Sequence, residues 1–432
     1  MTQTVPAELD PALIKQIIDA VDTGFEEQCQ LTEKVISFPS LRGQEATAQD
    51  FMAETYRSRG LSVDHWKIDL ADIQHLPGFS PVAVSYDNAF NVVATHRPRA
   101  ATGRSLILNG HMDVVPTGPL DLWTKPPFHP WRDGDWLYGR GGGDMKAGLV
   151  CALSAFDALG RLGLQPAANC YFQSVTEEEC TGNGALACLA RGYRADAAII
   201  PEPSDMCLVA GQLGVMWFQV KLQGRPAHVG WAGTGSNAIE ASFPIIAALH
   251  ELEAKWNAAR HQNWADHPHP INFVVSKIEG GDWTSSVPAW CTFDMRISFY
   301  PGMKLEQVRR DIEDTVRQAA GSHPFLANNP PQVVYHGFQA EPYIVTGGEA
   351  AQTTLRRSHR SVTGEDPADV SLTATTDARF FGLYAGIPAL VYGPKAIDIH
   401  GFDERVSMRS MRDVTCAIAL FMAQWCGVEA RN

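Results

Sequence analysis

Four short apolar runs in this chain each end on an acid or a histidine, and that recurrence limits the possible folds more than any single motif does. Residues 105–109 run into Gly110, His111, Met112 and Asp113. Residues 170–175 run into Thr176, Glu177, Glu178 and Glu179. Residues 197–200 run into Pro201 and Glu202, and residues 389–392 lead through a short loop to His400. Runs of this length are strand-sized, and open α/β sheets bind ligands at the carboxyl ends of their strands. One sheet would therefore bring all these groups together. A fifth group, Asp144, stands in a glycine-rich turn, 139–146, that opens a helix.

The segments between these runs support such a sheet. From about residue 11 to 59 apolar residues recur at helical spacing, as in Ile14, Ile17, Ile18 and Val21, so the chain begins with helices. Beyond that, strand-like runs at 91–95, 105–109, 170–175, 197–200 and 389–392 alternate with helical stretches such as 145–162 and 183–190. This order predicts an α/β fold, a mostly parallel sheet flanked by helices. Near Gly211 the pattern changes. Strand 215–222, helix 237–256, strands 271–278 and 290–299, helix 305–320 and strand 332–338 follow one another. That is βαββαβ, the split, ferredoxin-like arrangement of a small α+β domain. The chain of 432 residues exceeds what one core usually supports. We place an inserted domain at 213–341, with 1–212 and 342–432 as the two parts of the larger one.

Charge and composition narrow the partners. A formal charge of −13 with no basic run argues against nucleic acid. No apolar run approaches the ~20 residues of a membrane span. The amino-terminal stretch, residues 1–10, lacks a basic region followed by an apolar one, so no secretory signal is expected. Nine cysteines without a C-x-x-C pair fit reduced packing thiols in a cytoplasmic protein. A small molecule is left as the expected ligand.

The donor set at the strand ends is chemically restrictive. Imidazoles and carboxylates with no cysteine among them suit zinc, with manganese or cobalt as alternatives. The acids outnumber what one ion needs, whereas two divalent ions roughly 3.5–4 Å apart, sharing a carboxylate, would use them all. Asp113 is placed to accept the imidazole N–H of His111 and fix its tautomer. Taken singly, each feature has a plainer explanation: His-x-Asp as a hydrogen-bonded pair, the Glu triplet as a solvated face. The glycine-rich turn lacks a clean G-x-G-x-x-G after a strand and puts an Asp where a phosphate would approach. Coincidence at four separate strand ends favours the metal.

The motifs 109–116, 139–148, the triplet with Gly182, Asn183 and Gly184, Pro201-Glu202-Pro203 and the terminal stretch 400–404 resemble the metallopeptidase family of acetylornithine deacetylase, succinyl-diaminopimelate desuccinylase, aminoacylase and glutamate carboxypeptidase. The resemblance spans essentially the whole chain in order. It implies a zinc-peptidase-like catalytic domain interrupted by a lid that dimerises. It further implies two zinc ions bridged by Asp144, with His111 and Glu202 completing one site and Glu179 and His400 the other. Glu178 would be the general base, and the Asp144–Met145 peptide would be cis. A triplet of glutamates leaves the register open by one; the position of Gly184 and Ala185 fixes it with Glu177 as spacer.

In the inserted domain, His228 resembles the family's histidine that reaches the partner subunit's active site, and Arg296 the arginine that holds a substrate carboxylate. Ser285 stands where the family often has Asn, a departure that bears on substrate recognition. The implied reaction is attack of a metal-activated water on an amide carbonyl. Glu178 takes the water's proton and passes it to the leaving amine, and His228 holds the oxyanion. The first expectation is a deacylase of an N-acyl amino acid or related N-acyl amine, acting as a homodimer through the lid. A dipeptidase or carboxypeptidase is the alternative within the family, and a catalytically silent metal-binding paralogue the alternative outside enzymes.

Overall fold

The computed structural model describes residues 4–431; of the stretch read above for a leader, residues 1–3 lie outside the described residues. The chain opens with helices α1 (Pro11–Thr23), α2 (Phe25–Ile36) and α3 (Ala46–Arg57). Strands β1 (Ser62–Lys67), β2 (Phe90–His96), β3 (Leu106–His111), β4 (Cys170–Val175) and β5 (Ala197–Ile200) follow, with α4 (Ala147–Arg161) between β3 and β4 and α5 (Asn183–Ala190) between β4 and β5. A second unit then begins, with β6 (Gly214–Gln223), α6 (Ala238–Ala258), β7 (Phe273–Gly280), β8 (Trp290–Phe299), α7 (Leu305–Gly321) and β9 (Gln332–Ala340). Helix α8 (Glu349–Thr363), strand β10 (Ala389–Val391) and helix α9 (Met408–Trp425) complete the main elements.

The first sheet has the order β1-β2-β4-β3-β5-β10. β4, β3, β5 and β10 run parallel, whereas β1 and β2 pair antiparallel at one edge. β10 lies beside β5 although the whole second unit separates them in sequence, so that unit is an insertion. Helix α4 is buried along its length, with Ala147 through Phe156 all inside. Its segment carries no polar face, so it can only sit between the sheet and other helices. The helix starts at Ala147 rather than at 145, because residues 142–146 form one wide turn in which Asp144 and Met145 have non-helical φ/ψ.

The inserted sheet has the order β7-β8-β6-β9, with α6 and α7 on one face. Its core alternates as a half-covered sheet must. Cys291, Phe293, Met295 and Ile297 of β8 point to the helices, with Met216, Phe218, Val220 and Leu222 of β6 beside them. Thr292, Asp294 and Arg296 take the opposite face. Asn237 caps α6 by accepting the N–H groups of Ile239 and Glu240. Strand β1 was not anticipated, because Ser62-Val-Asp-His-Trp-Lys67 carries polar residues on both faces of an edge strand. All nine cysteines are free. Among the described residues no helix is long and apolar enough to cross a membrane.

Candidate metal centre

The parallel strands end together, and their ends carry the acids and histidines. His111 is the last residue of β3 and is fully buried. Its Nε2 lies 3.1 Å from Asp144 Oδ1 and 3.9 Å from both Glu202 Oε2 and Glu178 Oε2. His400 Nε2 lies 3.2 Å from Glu179 Oε2 and 3.5 Å from Asp144 Oδ2. Two groups of three result, His111 with Asp144 and Glu202, and Asp144 with Glu179 and His400; within each, the ligand atoms lie within 4.8 Å of one another. Asp144 belongs to both, one oxygen toward each histidine. Ligand atoms about 2.0–2.2 Å from a zinc ion stand at most ~4.4 Å apart, so small side-chain movements suffice to enclose an ion.

Asp144 owes its position to Glu404. The buried Glu404 carboxylate accepts the N–H groups of Gly141 (2.9 Å), Gly143 (2.9 Å) and Asp144 (3.0 Å) and the Nη1 of Arg140 (2.7 Å). Glycine is required for this approach. Gly141 has φ +77, and a Cβ there would meet Val114 Cγ1 at 2.4 Å; one on Gly143 would stand 2.6 Å from Ala396 Cβ. The Asp144–Met145 peptide is cis. His400 itself has φ +61, in a loop where Asp398 and Asp403 are also left-handed. Such conformations persist where their surroundings hold them. Arg140 Nη2 donates to Gly401 O at 2.9 Å, and the Thr124 N–H and hydroxyl both donate to the Asp403 carboxylate.

The glutamates of the triplet face different ways. Glu177, at φ +69, turns from the metal-facing groups; Arg42 donates to its two oxygens at 2.5 and 2.7 Å, Tyr86 Oη at 2.7 Å and Thr181 Oγ1 at 3.0 Å. Glu178 and Glu179 turn inward, and Oε1 of each is buried with no hydrogen-bond partner. The sequence reading gave the His111 imidazole N–H to the Asp113 carboxylate. The acceptor is instead the Asp113 backbone carbonyl, 2.9 Å from Nδ1, while the carboxylate stands 3.7 Å away. That carboxylate is engaged by the N–H groups of Glu178 (3.3 Å) and Glu179 (3.0 Å), which draw it off the ring. A carbonyl can only accept, so Nδ1 carries the hydrogen and Nε2 is left facing Asp144 and Glu202.

The electrostatics call for cations. Burial, together with the charges of Asp377, Glu202 and Glu179, holds the Glu178 carboxyl well above its ordinary value. Burial raises Glu202 likewise, with Asp144 and Asp377 adding to the effect. Burial works against Asp144 too, but hydrogen bonds to His111 and His400 hold it below the usual carboxylate range. Burial alone would lower His400; the charge of Glu179 and the hydrogen bonds to Asp144 and Glu179 push it up to about 11. Two orphaned carboxylate oxygens among crowded acids, with imidazoles and no thiol, form a donor set that divalent ions satisfy.

The remaining expected residues lie elsewhere within the chain. His228 is exposed, its Nδ1 accepting the Gly230 N–H at 3.0 Å. Ser285 is exposed beside it, its carbonyl accepting the Val229 N–H at 3.3 Å. Arg296 is on the open face of the inserted sheet, opposite Trp217, with Nη2 3.4 Å from Thr373 O and no carboxylate within ion-pair distance among the described residues. Burial lowers its pKa. Several residues of the site were not anticipated: Glu404 and Arg140, Arg42 and Tyr86, and the buried Asp377, whose two oxygens have no hydrogen-bond partner. The carboxylate at 404 was visible four residues past His400, but its partners are mainly backbone N–H groups, which leave no mark in a sequence.

Residues 107–424 match the sequence profile described as peptidase family M20/M25/M40. The chain is 31% identical to the N-formyl-4-amino-5-aminomethyl-2-methylpyrimidine deformylase of Bacillus subtilis, over 94% of this chain and 96% of that protein. It is 28% identical to the succinyl-diaminopimelate desuccinylase of Methylibium petroleiphilum, over 74% of this chain and 81% of that protein. Among solved structures, the di-peptidase Dug1p of Saccharomyces cerevisiae superposes with a TM-score of 0.78 at 16% identity, covering 96% of this chain and 98% of its own. The M20 family metallo-carboxypeptidase Sso-CP2 of Sulfolobus solfataricus gives 0.70 at 16% identity, covering 92% and 99%. These two likenesses speak to the fold.

Proposed function

The chain belongs to peptidase family M20/M25/M40, and from that premise we propose that it is a metal-dependent hydrolase of the amide bond in a small N-acyl amine. The observation that carries this reading is the pair of ligand groups sharing Asp144, with the orphaned Glu178 carboxylate oxygen beside them. The sequence relatives named above, a deformylase and a desuccinylase, favour acyl removal over the dipeptidase alternative. His111, Asp144 and Glu202 would hold one divalent ion, and Asp144, Glu179 and His400 a second, zinc first and cobalt or manganese after it. When bound, such ions lower the pKa of a water toward ~7 and polarise an amide carbonyl.

The protein's own groups do the rest. Glu178 accepts the proton of the attacking water and returns it to the leaving nitrogen, a role typically worth about 10²–10⁴ in rate. Asp113 fixes Glu178 and Glu179 through their N–H groups. Arg296, half-buried and without an anionic partner among the described residues, is the candidate for a substrate carboxylate when the N-acyl amine is an amino acid. A screen of N-formyl, N-acetyl and N-succinyl amines and amino acids against dipeptides, with zinc or cobalt supplied, tests the reading. Cleavage of dipeptides with all N-acyl compounds untouched would replace it by the peptidase alternative.

We assign 1–212 and 342–432 to a catalytic domain and 213–341 to a lid that forms a homodimer; the separate cores of the two units support the division. The exposed edge strand β7, with Val274 and Ile278 in solvent, supports pairing through the lid, and the exposed loop of His228, Val229 and Trp231 supports service of His228 in the partner's site. Mixed His228→Ala and Glu178→Gln subunits should then regain activity in hybrid dimers, where one site has both residues. Free thiols throughout support a reducing, cytoplasmic setting.

A further inference from the structure

Two adjoining clefts open where the first sheet ends away from the metal-facing residues. Their strand register places them: His96 pairs with Cys170, at the start of β4, whose far end leads into the glutamate triplet. Five residues of strand separate the two ends, roughly 17 Å. One cleft, of about 470 Å³, includes Asp64, Tyr171 and Arg191 in its lining. The other, of about 370 Å³, is lined by Arg59, Arg97, Arg99, Arg431 and His96, over Leu61 and Phe156. Ser62, Thr95 and Arg97 line both.

Four guanidinium groups around one small cleft are unexpected on a chain of charge −13. Two are matched: Arg59 holds Asp157 through Nε and Nη2 at 2.8–2.9 Å, and Arg99 lies 3.9 Å from Glu429. Arg191, in the neighbouring cleft, is matched by Asp64 at 2.6 Å. Arg97 and Arg431 have no carboxylate within 4 Å among the described residues; Arg431 donates to the Arg59 carbonyl at 3.2 Å and lies over the Phe156 ring. Among the described residues, the cleft thus carries two exposed guanidinium groups with no carboxylate partner, with the Ser62 and Thr95 hydroxyls as neutral donors.

We infer that this cleft binds a small phosphorylated molecule, at a site separate from the hydrolytic centre. Planar guanidinium forks match the paired oxygens of a phosphoryl group. Two guanidinium forks on one cleft can both engage the three terminal oxygens of a phosphomonoester, whereas a lone carboxylate has only two oxygens to share between them. A cleft of about 370 Å³ is far larger than a phosphoryl group, which leaves room for an organic body beside it.

Calorimetric titration of the metal-loaded enzyme with phenyl phosphate tests this, with inorganic phosphate and benzoate as comparison ligands. Because a phosphate can also approach the metal centre, the same titration on the Arg97→Ala/Arg431→Ala double variant isolates the cleft. The wild type is expected to bind one equivalent more than the variant, or to bind at least about tenfold more tightly, with hydrolytic kcat/KM the same in both. Phenyl phosphate should also bind more tightly than inorganic phosphate. Identical isotherms for wild type and variant would overturn the site, as would no binding to either. Benzoate binding as tightly as phenyl phosphate would overturn the phosphoryl assignment. Circular dichroism and an Arg97→Lys variant, which should bind with intermediate affinity, separate lost recognition from lost folding.

Discussion

Replacing Glu404 with Gln should damage both proposed metal sites at once, although Glu404 belongs to neither candidate ligand group. Its Oε1 accepts the N–H groups of Gly143 and Asp144, and its Oε2 accepts Arg140 Nη1 and the Gly141 N–H. A glutamine offers one oxygen and one NH₂, so two of these donors lose their acceptor whichever way the amide turns. Turned one way, it strands the buried Arg140 charge, at about 3–5 kcal/mol. Turned the other, it leaves the Gly143 and Asp144 N–H groups unsatisfied at about 1–3 kcal/mol each, so either orientation costs several kcal/mol, and the second loosens the residue shared by the two candidate ligand groups. The assay is urea denaturation of the metal-depleted protein, which separates packing from metal binding, followed by zinc titration. A lowered urea midpoint and weakened binding of both equivalents are expected, with Glu404→Asp, which keeps the charge at shorter reach, falling between. An unchanged midpoint in the metal-depleted Gln variant would refute the reasoning.

Five further substitutions probe other parts of the site. Glu178→Gln should keep its metal and lose turnover, Glu179→Gln should lose metal from one site, and Glu177→Gln should weaken zinc binding through the loosened turn because Arg42 loses its charged partner; a Glu177→Gln enzyme with unchanged zinc affinity would count against that positioning. Gly148→Ala would set a Cβ 1.9 Å from the Pro201 carbonyl oxygen, next to Glu202, so a loss of about 1–3 kcal/mol or more and weaker metal binding at the His111 site are expected in the same titration. Burial, with the Asp113 charge, pushes the Glu45 carboxyl from 4.5 up to about 8. The folded protein therefore keeps a proton that the unfolded chain releases, and the stability this contributes is full below about pH 4.5 and lost as pH rises toward 8. Glu45→Gln should flatten the fall in urea midpoint between those limits, and an unaltered slope would contradict the assignment.

The clustering of the acids and histidines was legible because most of them follow an apolar run, and a parallel sheet aligns the ends of its strands. The inserted unit was legible for a similar reason: α7 and β8 carry clean periods of 3.6 and 2, so Ile312 and Phe293 could be assigned inward from sequence alone. What escaped depends on contacts that leave no local pattern. Glu404 binds mostly backbone, Arg42 meets Glu177 across 135 positions, and the Asp113 carboxylate is taken by N–H groups of a turn that follows another strand. Each of these is specified by the assembled fold, and none by the composition of its own segment.

The insertion also sets an order in which the site can come into being on the ribosome. His111, Asp144 and Glu202 all precede the inserted unit, so one ligand group is complete in composition before the second unit is made. His400 comes only after ~200 further residues, which at ordinary synthesis rates is roughly 10–40 s later. Glu404, which holds the turn carrying Asp144, emerges last of all. A chain ended before residue 400 therefore has the three residues of one candidate ligand group, but neither the anchor of Asp144 nor the second group. The two candidate ligand groups come together only after the inserted unit has been made and the chain has passed residue 404, so their completion reports that the insertion is in place.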